Sequence, residues 1–205
     1  KGAQKLRDVI GWCLDLGIKE LTLYTFSMQN FNREEKEVQG LFDLFYKHFD
    51  KLKEDKGIFK NKIRVKVAGR KHLFPERLQK AIQEIEDLTK EHDNLIMNFA
   101  MAYGGREEIV DAAKRIAEEV KFNDISVEEV DENLFAQKLY LNSDPDIVIR
   151  TGGDNRTSNF LPWQCAYSEY VFEESNWPDF NKEIYEEILK EFKSREVKAF
   201  KIGRA

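Results

Sequence analysis

Short apolar runs alternate with amphipathic stretches of ten residues or more along the whole of this chain, and that rhythm leaves few folds open. Residues 20–26 (ELTLYTF) alternate and are rich in β-formers. Ile63, Val65 and Val67 alternate with Arg64 and Lys66, giving a run that is polar on one side. Residues 95–103 (LIMNFAMAY) are apolar almost throughout, and Ile147-Val148-Ile149 and residues 169–172 (EYVF) are shorter runs of the same kind. Each reads as a β-strand. The stretches between them repeat at helical spacing. Leu6, Val9, Ile10, Cys13 and Leu14 form one stripe, stopped by Gly17. From Glu34 a second helix is expected, with Val38, Leu41, Phe42, Phe45, Tyr46, Phe49 and Leu52 on one face. Pro75 stands where a first helical turn begins, ahead of Leu78, Ile82, Ile85 and Leu88. Further helices are expected after Gly105 to residue 120, over residues 132–139 and over residues 183–192, with a capping box at Ser126 and Glu129. Strands alternating with helices of this length build right-handed βαβ units. The fold class is therefore α/β: a mostly parallel central sheet flanked by helices, in a single domain over residues 1–205.

Composition narrows the function. A net charge of −5 argues against a general nucleic-acid binder, so any basic site must be local. Cys13 and Cys165 sit in apolar company and are expected as buried free thiols of a reducing compartment. No run of 18 apolar residues occurs and no signal peptide is visible, which points to the cytoplasm. The chain opens on Lys1 and Gly2 with a helix under way, and reads as though its front had been removed.

In a parallel sheet, ligands bind beyond the carboxyl ends of the strands. Three strand ends here carry conspicuous polar groups: residues 27–33, residues 104–106 and residues 150–158. The last is the richest. Arg150 is followed by Thr151, Gly152, Gly153, Asp154, Asn155, Arg156, Thr157 and Ser158, and an apolar segment of helical character resumes at Phe160. Glycine amides, a helix start, two guanidinium forks and a hydroxyl together suit a phosphate. A βα turn with two solvated arginines is the plainer alternative. Neither G-x-x-x-x-G-K-[ST] nor a post-strand G-x-G-x-x-G is present, so a nucleoside triphosphate or dinucleotide is not the expected anion. His48, His72 and His92 share no partner spacing, which speaks against zinc and against a catalytic histidine. Glu169 is either a surface carboxylate or half of a magnesium site. The phenylalanine-rich stripe of the second helix is core, or the wall of an elongated apolar cleft.

Residues 150–180 (RTGGDNRTSNFLPWQCAYSEYVFEESNWPDF) resemble the signature of the cis-prenyltransferases, the undecaprenyl diphosphate synthases and their dolichyl-type relatives. Residues 21–33 (LTLYTFSMQNFNR) resemble a second motif of that family and residues 97–112 (MNFAMAYGGREEIVDA) a third. The three stand in family order, and the likeness covers essentially the whole chain. Phe31, where bacterial members often carry Trp, brings it nearer to archaeal and eukaryotic members. The resemblance implies a Mg²⁺-dependent enzyme that condenses isopentenyl diphosphate repeatedly onto an allylic diphosphate primer, farnesyl or geranylgeranyl. Its long-chain polycis-prenyl diphosphate would serve a lipid glycosyl carrier. A homodimer is implied, as is peripheral membrane contact through the lipid product. By the same resemblance Asn30 and Arg33 take part in catalysis. Phe26, Ser27, Phe31 and Arg33 border the reacting ends, and Gly104 and Arg106 belong to the third motif. Arg150, Arg156 and Ser158 bind the diphosphate of isopentenyl diphosphate, and Glu169 supports Mg²⁺. Two departures stand out. The family's N-terminal strand, ending in Met-Asp-Gly-Asn-Arg-Arg, has no counterpart in these residues, and Asp154-Asn155 stands where many members have Glu-His. A non-catalytic partner subunit of a heteromeric cis-prenyltransferase is the alternative.

Overall fold

A computed structural model describes residues 2–194. The expected alternation is present. Helix α1 (Gly2–Asp15) leads to strand β1 (Glu20–Ser27), a 3-10 turn (Met28–Asn32) and the long helix α2 (Glu35–Leu52). The short helix α3 (Lys56–Lys60) follows. Strand β2 (Ile63–Ala68), α4 (Glu76–Thr89), β3 (Leu95–Tyr103), α5 (Gly105–Lys121) and α6 (Glu132–Gln137) follow. The chain then forms β4 (Ile147–Thr151), β5 (Glu169–Glu173) and α7 (Lys182–Ser194).

Every strand pairing is parallel, and the pairings fall into two groups. One sheet has the order β1-β3-β2 and the other joins β4 to β5. Strand β3 is central in the first, and all of it is buried except Ile96, which is half-buried. That explains its nearly continuous apolar sequence. Strand β2 buries Ile63, Val65 and Val67 and leaves Arg64 and Lys66 partly exposed. Near its end β1 shifts register against β3 on either side of Phe26. This irregularity turns Phe26 into the core, where it meets Phe31 at 5.0 Å and Phe42 at 5.7 Å between ring centroids. Helices α2 and α4 pack on one another. Helix α1 meets α7 through Trp12 against Tyr185 and through the Cys13 thiol at 3.5 Å from the Tyr185 hydroxyl. Both cysteines are buried free thiols.

The facing edges of β1 and β4 are not paired to one another. They are joined at two ends. Near the start of β1, Glu20 accepts hydrogen bonds from Ser143 at 2.7 Å and from the Asn98 amide at 2.6 Å. Near its end, Tyr24 stacks on Phe160 at 4.8 Å and donates to the Ser158 carbonyl at 3.2 Å. Between the two ties lies a cavity.

Candidate active site

The cavity has a volume of about 870 Å³. Its walls are the β1 edge from Thr22 to Thr25, Leu6, Ile10 and Leu14 of α1, Phe45, Phe49 and Leu52 of α2, and Ile149 of β4. Met97 and Met101 both line it, so it follows β3 for four residues, roughly 13 Å. The stripe of α2 is thus both core and cavity wall: Phe42 and Phe49 are buried, and Phe45 and Phe49 face the space.

One end of this apolar space is polar. Arg150, Arg156, Thr157 and Ser158 line it. The Arg150 guanidinium donates to the Ser158 hydroxyl at 2.8 Å, to the Asp154 carboxylate at 3.0 Å and to the Arg156 carbonyl. Arg156 donates to the same Asp154 oxygen at 2.5 Å. Two guanidinium groups share one carboxylate, which leaves a surplus positive charge in a chain whose net charge is −5. The arginines are held together, Arg150 partly buried and Arg156 exposed, in the geometry an anion with several oxygens would bridge.

The loop reaches this arrangement differently from the sequence expectation. Gly152 and Gly153 have φ of 97° and 75°, so they do make the turn. Their amides, however, donate to the carbonyls of Ser175 and Glu173 at 2.9 and 3.0 Å. They anchor the loop to the end of β5 and are not offered to an anion. The helix expected at Phe160 is a series of turns. Leu161 has φ of 46°, and the Gln164 amide is drawn to the Leu141 carbonyl at 2.7 Å and to the buried Glu108 carboxylate. Glu108 also accepts from the Tyr103 hydroxyl at 2.5 Å and the Tyr140 amide at 2.7 Å. Three segments, the end of β3, the α6–β4 connection and the turns after Phe160, therefore converge on one buried carboxylate of α5 whose hydrogen bonds are satisfied.

The other residues singled out from sequence take separate places. Gly104 and Gly105 start α5 beside this loop, and the Arg106 amide donates to the Asn159 side chain at 2.9 Å. Phe26 and Phe31 lie in the aromatic core with Phe42 and Phe74. Asn30 caps its own turn, accepting from the Ser27 amide at 2.8 Å. Arg33 pairs with Glu37. None of these four, nor Ser27, lines the cavity. Glu169 pairs in register with Ile147, while Arg150 pairs with Phe172. Glu169 thus starts β5 three residues, about 10 Å, from the arginine end. Asp154 is engaged by both arginines, and among the described residues no three His, Cys, Asp or Glu side chains converge on a metal-sized space. Tyr24 and Asn159 also belong to the site's surroundings and were not singled out from sequence; an Asn just past the Arg-x-Ser triplet is the one cue, because Asn tolerates the left-handed backbone a tight loop needs.

An apolar cavity ending in paired arginines suits an amphiphile with an anionic head, and relatives of this chain act on such molecules. The family profile described as "Putative undecaprenyl diphosphate synthase" matches residues 1–200. The chain belongs to this undecaprenyl diphosphate synthase family. A relative from Methanopyrus kandleri, named tritrans,polycis-undecaprenyl-diphosphate synthase (geranylgeranyl-diphosphate specific), is 44% identical over 95% of this chain and 73% of its own. One of the same name from Pyrococcus horikoshii is 46% identical over 95% of this chain and 75% of its own. Among solved structures, lavandulyl diphosphate synthase from Lavandula x intermedia in complex with dimethylallyl diphosphate superposes with a TM-score of 0.86 at 33% identity, over 95% of this chain and 84% of that one. The prenyltransferase resemblance of the three motifs is therefore correct, and the α/β fold with its parallel strands is that of the undecaprenyl diphosphate synthases. The protein is a prenyltransferase. Among the described residues no helix is long and apolar enough to cross a membrane.

Proposed function

We propose that the protein condenses isopentenyl diphosphate repeatedly onto geranylgeranyl diphosphate, forming a cis double bond at each step and building a long-chain polyprenyl diphosphate for a lipid glycosyl carrier. The observation that carries this reading is the arginine pair at the polar end of an apolar cavity of about 870 Å³. The choice of primer follows the names of the archaeal relatives. In each addition the allylic carbon–oxygen bond breaks and a carbon–carbon bond forms to the terminal methylene of isopentenyl diphosphate. Positive charge is left on the methyl-bearing carbon of isopentenyl diphosphate; one proton then leaves the methylene between that carbon and the oxygen-bearing carbon, forming the new double bond, and the primer's pyrophosphate is released. Arg150, Arg156 and the Ser158 hydroxyl hold the isopentenyl diphosphate, with Asp154 keeping the two guanidinium groups together until the diphosphate arrives. Fixed cations around a phosphate favour the state in which charge collects on its oxygens. The apolar walls from α1, α2 and β3 receive the growing hydrocarbon and exclude water.

The unpaired edges of β1 and β4 support a second element of the proposal. A further parallel strand fits between Thr22–Thr25 and Val148–Thr151, joining the two sheets into one and leaving the α1–α2 side of the cavity for hydrocarbon. The family resemblance gives that strand an Asp that binds magnesium on the primer, and magnesium dependence is expected to come with it. A homodimer in the cytoplasm, touching the membrane through its product, completes the reading; light scattering of the purified protein checks the assembly.

The deciding experiment incubates the intact gene product with radiolabelled isopentenyl diphosphate and either farnesyl or geranylgeranyl diphosphate, with Mg²⁺ or EDTA, and resolves the products by length. A ladder ending at one long polyprenyl product, made from geranylgeranyl diphosphate and abolished by EDTA, is the expected result. No incorporation from either primer while isopentenyl diphosphate still binds would reject it in favour of a non-catalytic partner subunit.

A further inference from the structure

Three polar groups of one residue, Asn159, are directed at the first turn of α5. Its carbonyl accepts from the Gly105 amide at 2.8 Å, its Oδ1 accepts from the Arg106 amide at 2.9 Å, and its Nδ2 donates to the Glu107 carboxylate at 2.9 Å. The backbone there is left-handed at two successive non-glycine residues, Ser158 with φ of 51° and Asn159 with φ of 64°. Such a conformation persists where surrounding contacts over-determine it, and these contacts are the ones named. The approach is so close that a methyl group on Gly104 would lie 2.9 Å from the Asn159 Nδ2, and one on Gly105 would lie 1.9 Å from the Pro162 Cδ.

Ser158 is the residue before Asn159, with its Cα about 3.8 Å away. It makes fewer contacts of its own: its hydroxyl accepts from Arg150 at 2.8 Å, and its carbonyl accepts from Tyr24 of β1 at 3.2 Å. Arg150 in turn reaches Asp154 and the Arg156 carbonyl. The arginine–serine cluster is thus held at three places: to β5 through the Gly152 and Gly153 amides, to β1 through Tyr24, and to α5 through Asn159, whose three contacts are the most numerous.

We propose that Asn159 is the positioning residue of the diphosphate-binding loop: by fastening the loop to the first turn of α5, it sets where Ser158 and the Arg150–Arg156 pair meet the diphosphate of isopentenyl diphosphate. This assignment rests on the functional reading above. Asn159 does not touch the substrate. Glu107 is its partner, and the side-chain amide is the group that lets a neutral residue donate to that carboxylate while accepting from the Arg106 amide. An Asp at the same position keeps the acceptor and the tolerance for left-handed backbone, but sets two carboxylates against each other.

The test is a pair of substitutions in the intact gene product, with the KM for isopentenyl diphosphate, the KM for the primer, kcat and the melting temperature measured for each. Asn159→Asp is expected to raise the KM for isopentenyl diphosphate about tenfold, the equivalent of one lost charge-assisted bond, with the primer KM and the melting temperature little changed. Combining it with Glu107→Gln restores a donor–acceptor pair of reversed polarity and is expected to return the KM toward the wild-type value. An unchanged KM in Asn159→Asp overturns the assignment. So does a loss of both substrate affinities together with thermal stability that the second substitution does not rescue, which marks a general structural role. Wild-type protein that neither binds nor turns over isopentenyl diphosphate overturns the functional reading itself, and the assignment with it.

Discussion

Gly105→Ala puts two opposing effects on one residue, and their sizes decide the outcome. Gly105 opens α5 with a backbone that alanine can adopt, and alanine is favoured over glycine inside a helix by about 0.8–1.0 kcal/mol. On that ground alone the substitution stabilises. Against it, the new methyl would sit 1.9 Å from the Pro162 Cδ, 2.4 Å from its Cγ and 3.1 Å from the Asn159 carbonyl oxygen. Reaching an ordinary carbon–carbon contact of ~3.5 Å needs about 1.6 Å of displacement. The proline ring has no rotamer to yield, so the loop itself must move. Overpacking typically costs about 1–3 kcal/mol, and a deficit of this size against a rigid ring belongs at the upper end. The net effect is a loss of about 2 kcal/mol, which for a domain of this length lowers the melting temperature by about 4–8 °C. Because the displaced segment carries Ser158 and is bonded to Arg150, the affinity for isopentenyl diphosphate falls as well. Differential scanning calorimetry and steady-state kinetics on the purified variant read the two effects. A melting temperature equal to or above that of the wild type would show that the helix term prevails and that the loop is not wedged against α5, refuting the reasoning.

Other expectations follow from the same geometry. Arg150→Ala removes a guanidinium with three partners, and at about 1.5–3 kcal/mol per charge-assisted bond the KM for isopentenyl diphosphate should rise about 10- to 150-fold in a steady-state assay, with Arg150→Lys between the two because one ammonium cannot bridge the same partners. The Arg70 guanidinium, 2.8 Å away, holds the Asp111 carboxyl down at about 2 from an ordinary 3.8; the stabilisation is complete above the ordinary value and is lost as pH falls through the lowered one. Asp111→Asn should therefore cost about 2 kcal/mol at neutral pH and flatten the fall in stability between about pH 4 and 2, as read by urea unfolding. Burial raises the pKa of both the Cys13 and Cys165 thiols, so a thiol reagent should label the native protein slowly and the urea-unfolded protein at once. Each five-carbon unit entering the cavity gains about 4 kcal/mol at most, at ~0.8 kcal/mol per methylene, so product release should limit turnover; detergent that leaves steady-state turnover unchanged, with no burst in the first turnover, would contradict this.

What the sequence could reveal of this structure depended on the range of the interaction responsible. Strand β3 begins and ends where its apolar run does, at Leu95 and Tyr103, because burial on both faces writes itself into consecutive residues. The turn at Ser126 shows its expected amide-to-carboxylate contact with Glu129 at 2.7 Å, because a cap is a contact over three residues. The helix expected after Phe160 fails for the opposite reason. Its apolar spacing is helical, yet Gln164 answers to Glu108, 56 positions earlier, and Leu161 is left-handed. The glycines at 152 and 153 were legible as a turn, but the direction of their amides depends on where β5 ends. Strand order is likewise non-local: nothing in the succession β1, β2, β3 announces that β3 stands between the other two.

The candidate site divides along the same line. Arg150, Arg156 and Ser158 were legible because a strand end enriched in cations and hydroxyls is a short-range pattern, and the structure brings these three together. Tyr24 and Asn159 were not, since the partner of the Tyr24 hydroxyl lies 134 residues away and that of the Asn159 amide 52. This division has a physical consequence. The groups that would touch the diphosphate sit on a loop with exposed glycines and few buried side chains, whereas the groups that locate the loop sit on β1, β3 and α5, around a strand that is almost wholly buried. Binding groups on a loop keep their geometry only when rigid elements hold it. The arginines alone therefore do not define this site. Transplanting the Arg150–Ser158 segment without the α5 turn and Tyr24 would carry over the charge and lose the position.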